Sequence, residues 1–295
     1  MGGRAACRGG GLAGGANAWH NDFMKHGIHF ISGLPRSGST LLSALLRQNP
    51  KMHAAMTSPV GSLFNTLLRT MSEGNESATF LDNEHREAVL RAVFEAYYAR
   101  LSKDRTIVDT NRQWTTKLPA LTALYPKCKV ICCVRHVPWV LDSIESLVKR
   151  NKWEPSGIFS FDPGGTVYSR VEGLAGQNGM VGFALNALRE AVYGPQNDRL
   201  LIVQYESLTS APQRTLGAIY DFLGLKRFEH DLKNVEYDEA QAFDRRLGTP
   251  GLHTVGREVR HVERPSILPP DLFGRYENLS FWRDRRQVPA VIPII

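Results

Sequence analysis

Short apolar runs alternate with segments of helical periodicity along most of the chain. The first pair is an apolar stretch over residues 28–33, which ends in glycine, and an apolar helical pattern over 40–47, which Pro50 ends. A crossover between parallel strands needs a connection of helix length. The alternation therefore predicts an α/β fold of three layers, a mostly parallel sheet with helices on both faces.

The same alternation continues towards the end of the chain. We predict a helix from about residue 84 to 102 before a strand over 106–109, and a strand over 129–134 before a helix with Pro138 in its first turn. The stretch RLLIVQYESL predicts a further strand, and PQRTLGAIYDFLGL a helix that Gly224 ends. The polar clusters of interest follow these strands, so we expect the ligand at the carboxyl ends of the strands.

Two segments depart from the alternation. Residues 1–23 are rich in glycine and have little apolar periodicity, and Met24 stands just before the first strand. We expect these residues to be disordered or a misassigned start, and residues 24–295 to form one domain. Residues 151–180 are rich in Gly, Pro, Ser and aromatic residues and are predicted to be an insertion that covers a substrate. Its aromatic residues suggest an apolar wall for that substrate: Trp153, Phe159, Phe161 and Tyr168.

Composition and charge narrow the class of partner. The chain has 295 residues and a formal net charge of +7, but lysine and arginine are mixed with acidic residues, which favours a small anionic ligand over nucleic acid. No apolar run approaches the ~20 residues that span a bilayer, and no signal sequence is apparent, so we expect a cytoplasmic protein. The four cysteines have neither metal-ligand nor disulfide spacing. We interpret them as reduced, and we predict no metal site.

The most specific motif, GLPRSGSTLL, joins the first strand to the first helix. Its spacing over residues 33–40 is that of a nucleotide-binding phosphate loop, except that Ser39 stands where lysine is usual. Backbone N–H groups of residues 36–41 can still bind phosphate oxygens, and Arg36 adds a cation inside the loop. The neighbouring apolar strand ends in Arg135 and not in an acidic residue that could hold Mg²⁺. These features argue against triphosphate hydrolysis.

This loop resembles the 5′-phosphosulfate loop of sulfotransferases that use 3′-phosphoadenosine 5′-phosphosulfate (PAPS). It is most similar in style to the tyrosylprotein and Golgi-type members, which carry arginine where cytosolic enzymes carry lysine. In VRHVPWVLDSIES, Arg135 and Ser143 match the family's pair for the 3′-phosphate, since a dianion suits a guanidinium and a hydroxyl. The segment VQYESLTSAPQRTLGAIYDFLGL is similar to the family segment whose tyrosine, here Tyr205, lies near the nucleotide. We expect a bacterial-type member, and the resemblance covers roughly residues 28–50, 105–150 and 200–260.

The resemblance implies transfer of a sulfuryl group from PAPS, without a metal, to a hydroxyl or secondarily an amine of a small-molecule or peptide acceptor. A late basic segment containing Gly251 and Arg257 is similar to the loop that folds over the nucleotide, and His253 within it could face donor or acceptor. The residues expected to bind the donor are Pro35, Arg36, Ser37, Gly38, Ser39, Thr40, Leu41, Arg135, Ser143, Tyr205, Gly251 and Arg257. The alternatives are a P-loop kinase and a nucleotide-binding module without catalysis. The sequence predicts neither the acceptor nor the oligomeric state.

Sulfuryl transfer needs cations around the transferred group and a base for the acceptor hydroxyl. Arg36 is the first cation. For the second, Arg112 and Lys117 compete within VDTNRQWTTKLP, and Arg112 is preferred because it is nearer to the strand end. The glutamate that tyrosylprotein sulfotransferases place after the first helix has no counterpart in KMHAAMTSPVGSLF. His53 and Asp109 are the two candidates for the base.

Overall fold

The computed structural model describes residues 27–72, 74–101, 104–153, 156–159, 162, 164–237 and 239–295. The predictions made for residues 1–23, for Met24 as the first residue of the domain and for Phe161 lie outside these ranges. The described strands are β1 (Ile28–Gly33), β2 (Met52–Ala54), β3 (Thr106–Thr110), β4 (Val130–Val134) and β5 (Leu200–Gln204). They form one parallel sheet in the order β2-β3-β1-β4-β5.

Helices connect the strands and cover the sheet. They are α1 (Ser39–Leu46), α2 (Val60–Thr70), α3 (Asn83–Tyr98), α4 (Leu118–Leu124), α5 (Val137–Arg150), α6 (Val167–Ala175), α7 (Met180–Tyr193), α8 (Tyr205–Ser210), α9 (Pro212–Leu223), α10 (Glu239–Arg246) and α11 (Pro270–Arg275). Their ends follow local rules: Pro138 lies in the first turn of α5, and Gly224, with a φ of 73°, ends α9 in the left-handed conformation. In the parts of the chain described, no helix is both long and apolar enough to cross a membrane.

The sheet is buried on both faces. Phe30, Val130 and Ile202 pack into one apolar cluster with residues of α2 to α7, whereas their strand neighbours Ile31 and Ile131 pack into a second cluster with α1 and α9. Successive residues of a strand point to opposite faces, so β1, β3, β4 and β5 each contribute to both layers of helices. The structure confirms the predicted three-layer α/β fold.

The sequence patterns located most elements but not all of them. Helix α3 ends at Tyr98, four residues before the predicted end, and the edge strand β2 was not predicted. The insertion predicted over 151–180 contains helix α6 and the first residue of α7. Cys128, Cys132 and Cys133 are free and buried in or beside β4.

The topology brings two strand ends together at the middle of the sheet. After β1 the chain forms β2 and β3 on one side, and it then crosses to form β4 on the other side. The carboxyl ends of β1 and β4 thus lie side by side at a point where the connections diverge. Such a switch point is where open α/β sheets bind their ligands.

Candidate functional site

The loop over residues 34–38 is attached to the end of β4. The Leu34 N–H donates to the Cys133 carbonyl oxygen at 2.9 Å, and the Ser37 hydroxyl donates to the same oxygen at 2.9 Å. Gly33 has a φ of 116°, and a Cβ there would lie 2.1 Å from that oxygen, so no side chain fits. The hydroxyl of Ser37, a predicted donor-binding residue, is thus used inside the protein.

The amino terminus of α1 is open towards a ligand. Gly38 caps this helix with a φ of 90°, and within the described part of the chain this cap makes no side-chain hydrogen bond. These N–H groups and the helix dipole favour an anion. A Cβ on Gly38 would lie 2.9 Å from Tyr205 Cδ2, so the predicted nucleotide tyrosine packs directly against the loop.

Arg36 connects the loop to two other parts of the site. Its Nε donates to Ser143 Oγ on α5 at 3.0 Å, and its Nη1 donates to the Leu252 carbonyl oxygen. Arg36 also has a φ of 56°, the one positive φ of a non-glycine residue in the described ranges. This conformation costs about 1–2 kcal/mol for an L-residue. Burial, together with the positive charges of Arg135 and Arg150, lowers the pKa of Arg36 to about 10.

Arg135 lies on the β4 side of the site and is the first residue after that strand. Its guanidinium carbon is 4.4 Å from the centre of the Tyr205 ring, a cation–π contact that holds the side chain over the aromatic face. Burial lowers the pKa of Arg135, whereas Tyr205 and Glu206 oppose that shift. The structure therefore brings together the loop, Arg135, Ser143 and Tyr205, which the sequence places far apart.

These groups open into a cavity of about 670 Å³. Four of its described lining residues are arginines: Arg36, Arg112, Arg135 and Arg260. Among the described lining residues, Glu258 is the one carboxylate. The predicted site residues in the lining are Pro35, Arg36, Gly38, Ser39, Thr40, Leu41, Arg112, Arg135 and Tyr205. This excess of positive charge fits a ligand with several negative charges. Among the residues described, no group of three or more His, Cys, Asp or Glu is placed to hold a metal ion.

Other predicted residues lie beside the cavity or away from it. Ser143 contacts the cavity through Arg36, and Gly251, with a φ of 83°, directly precedes the lining residue Leu252. Arg257 is exposed and donates to Asn234 Oδ1 at 3.2 Å. Of the two competing cations, Arg112 is in the cavity lining and Lys117 is not. Burial lowers the pKa of Arg112.

Neither base candidate from the sequence lines the cavity. Asp109 is 1% exposed, and its carboxylate accepts hydrogen bonds from Ser58 Oγ at 2.5 Å, from Trp114 Nε1 at 2.8 Å and from the Tyr98 hydroxyl. His53 lies on the edge strand β2, with its ring centre 5.6 Å from that of Tyr98. Burial raises the pKa of Asp109 and lowers that of His53. The contacts of Asp109 join β3 to α3 and to the turn that precedes α4.

A histidine–aspartate pair in the cavity wall was not predicted. The His253 backbone N–H donates to Asp244 Oδ2 at 2.8 Å, and its ring Nδ1 lies 2.6 Å from Asp244 Oδ1. Asp244 is 1% exposed, and His253 lines the cavity. The sequence singled out His253, but a spacing of nine residues through an irregular turn gave no indication of Asp244 as its partner.

The predicted insertion borders the cavity. The Gly157 N–H donates to the Gly248 carbonyl at 3.0 Å, and Asn151 Nδ2 donates to the Pro250 carbonyl at 3.0 Å. Trp153 is 86% exposed, and none of the described aromatic residues expected to form the apolar wall lines the cavity. The apolar lining comes from other residues, which include Met56, Ile158, Met180, Phe243, Leu247 and Leu252.

A family profile matches this chain, and several solved structures are similar to it. The sequence profile described as the sulfotransferase family matches residues 29–230, more than half of the chain. The sulfotransferase domain of the olefin synthase from Synechococcus PCC 7002 is 21% identical, over 86% of this chain and 94% of that one, with a TM-score of 0.49. A sulfotransferase from Alicyclobacillus acidocaldarius is 13% identical, over 74% of this chain and 91% of that one, with a TM-score of 0.47.

Proposed function

The chain belongs to the sulfotransferase family, and from this premise we propose that it transfers the sulfuryl group of PAPS to a hydroxyl group of an acceptor. In this proposal the loop over 34–38 and the amino terminus of α1 bind the 5′-phosphosulfate. Arg135 and Ser143 bind the 3′-phosphate. The donor supplies the sulfuryl group, and the protein supplies binding, orientation and charge.

One observation carries the proposal: two anion-binding positions, at the ends of β1 and β4, open into the same cavity. The loop offers the open helix terminus of α1, and Arg135 stands over Tyr205, which itself packs against Gly38. A nucleotide with phosphates on its 3′ and 5′ oxygens needs two such positions.

The cations in the lining suit the transfer step. The sulfuryl group carries less charge than a terminal phosphoryl group, so protein cations alone can stabilise the charge that develops on its oxygens. Arg36 and Arg112 are the two cations that we assign to this role. The apolar side chains of Met56, Ile158 and Met180 favour an acceptor whose hydroxyl is attached to an apolar body.

Calorimetric titration tests the choice of nucleotide. Adenosine 3′,5′-bisphosphate is expected to bind about 30- to 1000-fold more tightly than AMP, which corresponds to about 2–4 kcal/mol for a buried charge-assisted contact with the 3′-phosphate. Arg135→Ala should remove most of this preference. The matched control is Arg227→Ala, because Arg227 is exposed and forms a surface ion pair with Asp221 at 2.5 Å. Equal affinities for the bisphosphate and AMP would overturn the proposal, and tight Mg²⁺-dependent binding of ATP would favour a kinase.

A further inference from the structure

His253 is held beside the cations assigned to the transferred group. The residue before it, Leu252, accepts a hydrogen bond from Arg36 through its carbonyl oxygen. Its own backbone N–H and ring Nδ1 both contact the buried carboxylate of Asp244. Two contacts to one carboxylate fix the orientation of the ring. Because a carboxylate accepts hydrogen bonds, Nδ1 carries the proton, and Nε2 is the nitrogen left for a substrate.

Burial of the ring favours its neutral form. Burial has the largest effect and lowers the pKa of His253, and the charges of Arg36 and Arg112 act in the same direction. Asp244 alone raises it. A neutral imidazole with a free Nε2 can accept a proton at neutral pH. Glu258, the carboxylate among the described lining residues, is exposed, whereas the His253 ring is partly buried and is held by Asp244.

We propose that His253 is the general base of the reaction, and that Asp244 is a positioning residue that holds its ring. This inference rests on the proposed sulfuryl transfer. As the acceptor O–H bond breaks, its proton moves to Nε2 and the acceptor oxygen forms a bond to sulfur. The bond between sulfur and the 5′-phosphate oxygen breaks, and its electron pair stays on that oxygen, so adenosine 3′,5′-bisphosphate leaves. Asp244 stabilises the imidazolium without becoming protonated, and the proton then passes to water.

The test compares acceptors that need a base with one that does not. Release of the bisphosphate from PAPS is measured with water, with phenol and with p-nitrophenol, which is largely ionised at the assay pH of 8. His253→Asn should lower kcat for phenol by about 10²- to 10⁴-fold. The loss should be much smaller for p-nitrophenol, because its proton has already gone. Affinity for the bisphosphate should stay within about twofold, which also shows that the variant folds.

The role of Asp244 is tested by the pH profile and by NMR. In the wild type, kcat for phenol should fall as the pH drops and the imidazole becomes protonated. In Asp244→Asn, the fall of kcat should shift to lower pH, because the carboxylate no longer stabilises the imidazolium. A merely structural defect would instead lower kcat equally at all pH values. Long-range ¹⁵N–¹H correlation spectra of the free protein should show His253 protonated at Nδ1, and this measurement needs no donor or acceptor.

The chain offers a matched control in a second histidine–aspartate pair. His85 Nδ1 lies 2.8 Å from Asp82 Oδ1, but this pair is exposed and does not line the cavity. His85→Asn should leave kcat and its pH profile unchanged. The proposal is overturned if His253→Asn retains full kcat for phenol, if Glu258→Gln abolishes the pH limb instead, or if His253 is protonated at Nε2 in the free protein. A wild type that neither binds the bisphosphate nor releases it from PAPS would contradict the proposed sulfuryl transfer itself.

Discussion

At the scale of single residues, Arg36 is the side chain on which most of the site depends. It has an unfavourable backbone conformation, it is buried, and it is surrounded by other positive charges. Each of these features costs free energy in the free protein. We expect a bound anion to offset the part of this cost that comes from charge repulsion. This is the pattern expected of a residue retained for function and not for stability.

We therefore expect Arg36→Ala to lower kcat by about 10²-fold or more, the loss seen when one donor to a developing negative charge is removed. Arg112→Ala should act similarly, because Arg112 is the second cation that we assign to the transferred group. The measurement is release of the bisphosphate from PAPS at saturating donor.

Lys117→Ala is the control for this pair, since Lys117 lies five residues after Arg112 but outside the cavity lining. A larger loss from Lys117→Ala than from Arg112→Ala would reverse the assignment. Turnover should also persist in excess EDTA if protein cations alone stabilise the transferred group. An absolute requirement for Mg²⁺ would contradict the roles given to both arginines.

At the scale of elements, an ion pair joins the predicted insertion over residues 151–180 to helix α5. Glu145 of α5 is almost fully buried and accepts two hydrogen bonds from Arg170 of α6, at 2.5 and 2.9 Å. Arg170→Met would leave a buried carboxylate without this partner, which typically costs about 3–5 kcal/mol. We expect faster amide hydrogen exchange in α6 and lower turnover, with bisphosphate affinity nearly unchanged.

The neighbouring pair of Arg275 and Glu172 provides the comparison. It also involves α6, with a distance of 2.8 Å, but both side chains are about half exposed. Arg275→Met should therefore change stability far less than Arg170→Met. If Arg170→Met weakened bisphosphate binding as much as turnover, the insertion would be part of the nucleotide site and not a cover for the acceptor.

The sequence predicted elements where the determining contacts are local. The unit of strand, loop and helix around Ser39 follows from residues next to each other, and so does the position of Arg135 at a strand end. Strand β2 has only three residues, too few for a pattern, and it forms because its backbone pairs with β3. The apolar character of Trp153 did not determine which way its side chain points. Asp244 was missed because its pairing with His253 depends on a turn of irregular backbone.

At the scale of the whole molecule, stability should fall in mild acid because of His29 on the central strand β1. Burial and the charge of Lys129 lower the pKa of this histidine to about 4. Its Nδ1 accepts a hydrogen bond from the Lys129 N–H at 3.2 Å, a contact that only the unprotonated nitrogen can make. The unfolded chain takes up the proton near the ordinary pKa of about 6.5, so the stabilisation is complete above that pH and is lost as the pH falls towards 4.

Urea unfolding at pH 7 and pH 5 measures this effect. Protonation linked to His29 should lower the free energy of unfolding by about 2 kcal/mol between pH 7 and pH 5. Other buried histidines also make the free energy of unfolding depend on pH. The informative quantity is therefore the difference in unfolding free energy between the wild type and His29→Asn. This difference should be about 2 kcal/mol smaller at pH 5 than at pH 7. Parallel pH dependences of the two proteins would show that His29 titrates normally.

The backbone carbonyl group of Cys133 connects the loop over residues 34–38 to the end of β4. Gly33, Leu34 and Ser37 all meet it from the side of the loop, and Arg135 follows it by two residues along the same backbone. The distance between the two proposed anion-binding positions is thus set by main-chain geometry. Side chains along β4 can change during evolution without altering that distance. In the proposed function, this backbone sets the spacing of the two phosphates, and the Arg135 side chain supplies the preference for the 3′-phosphate.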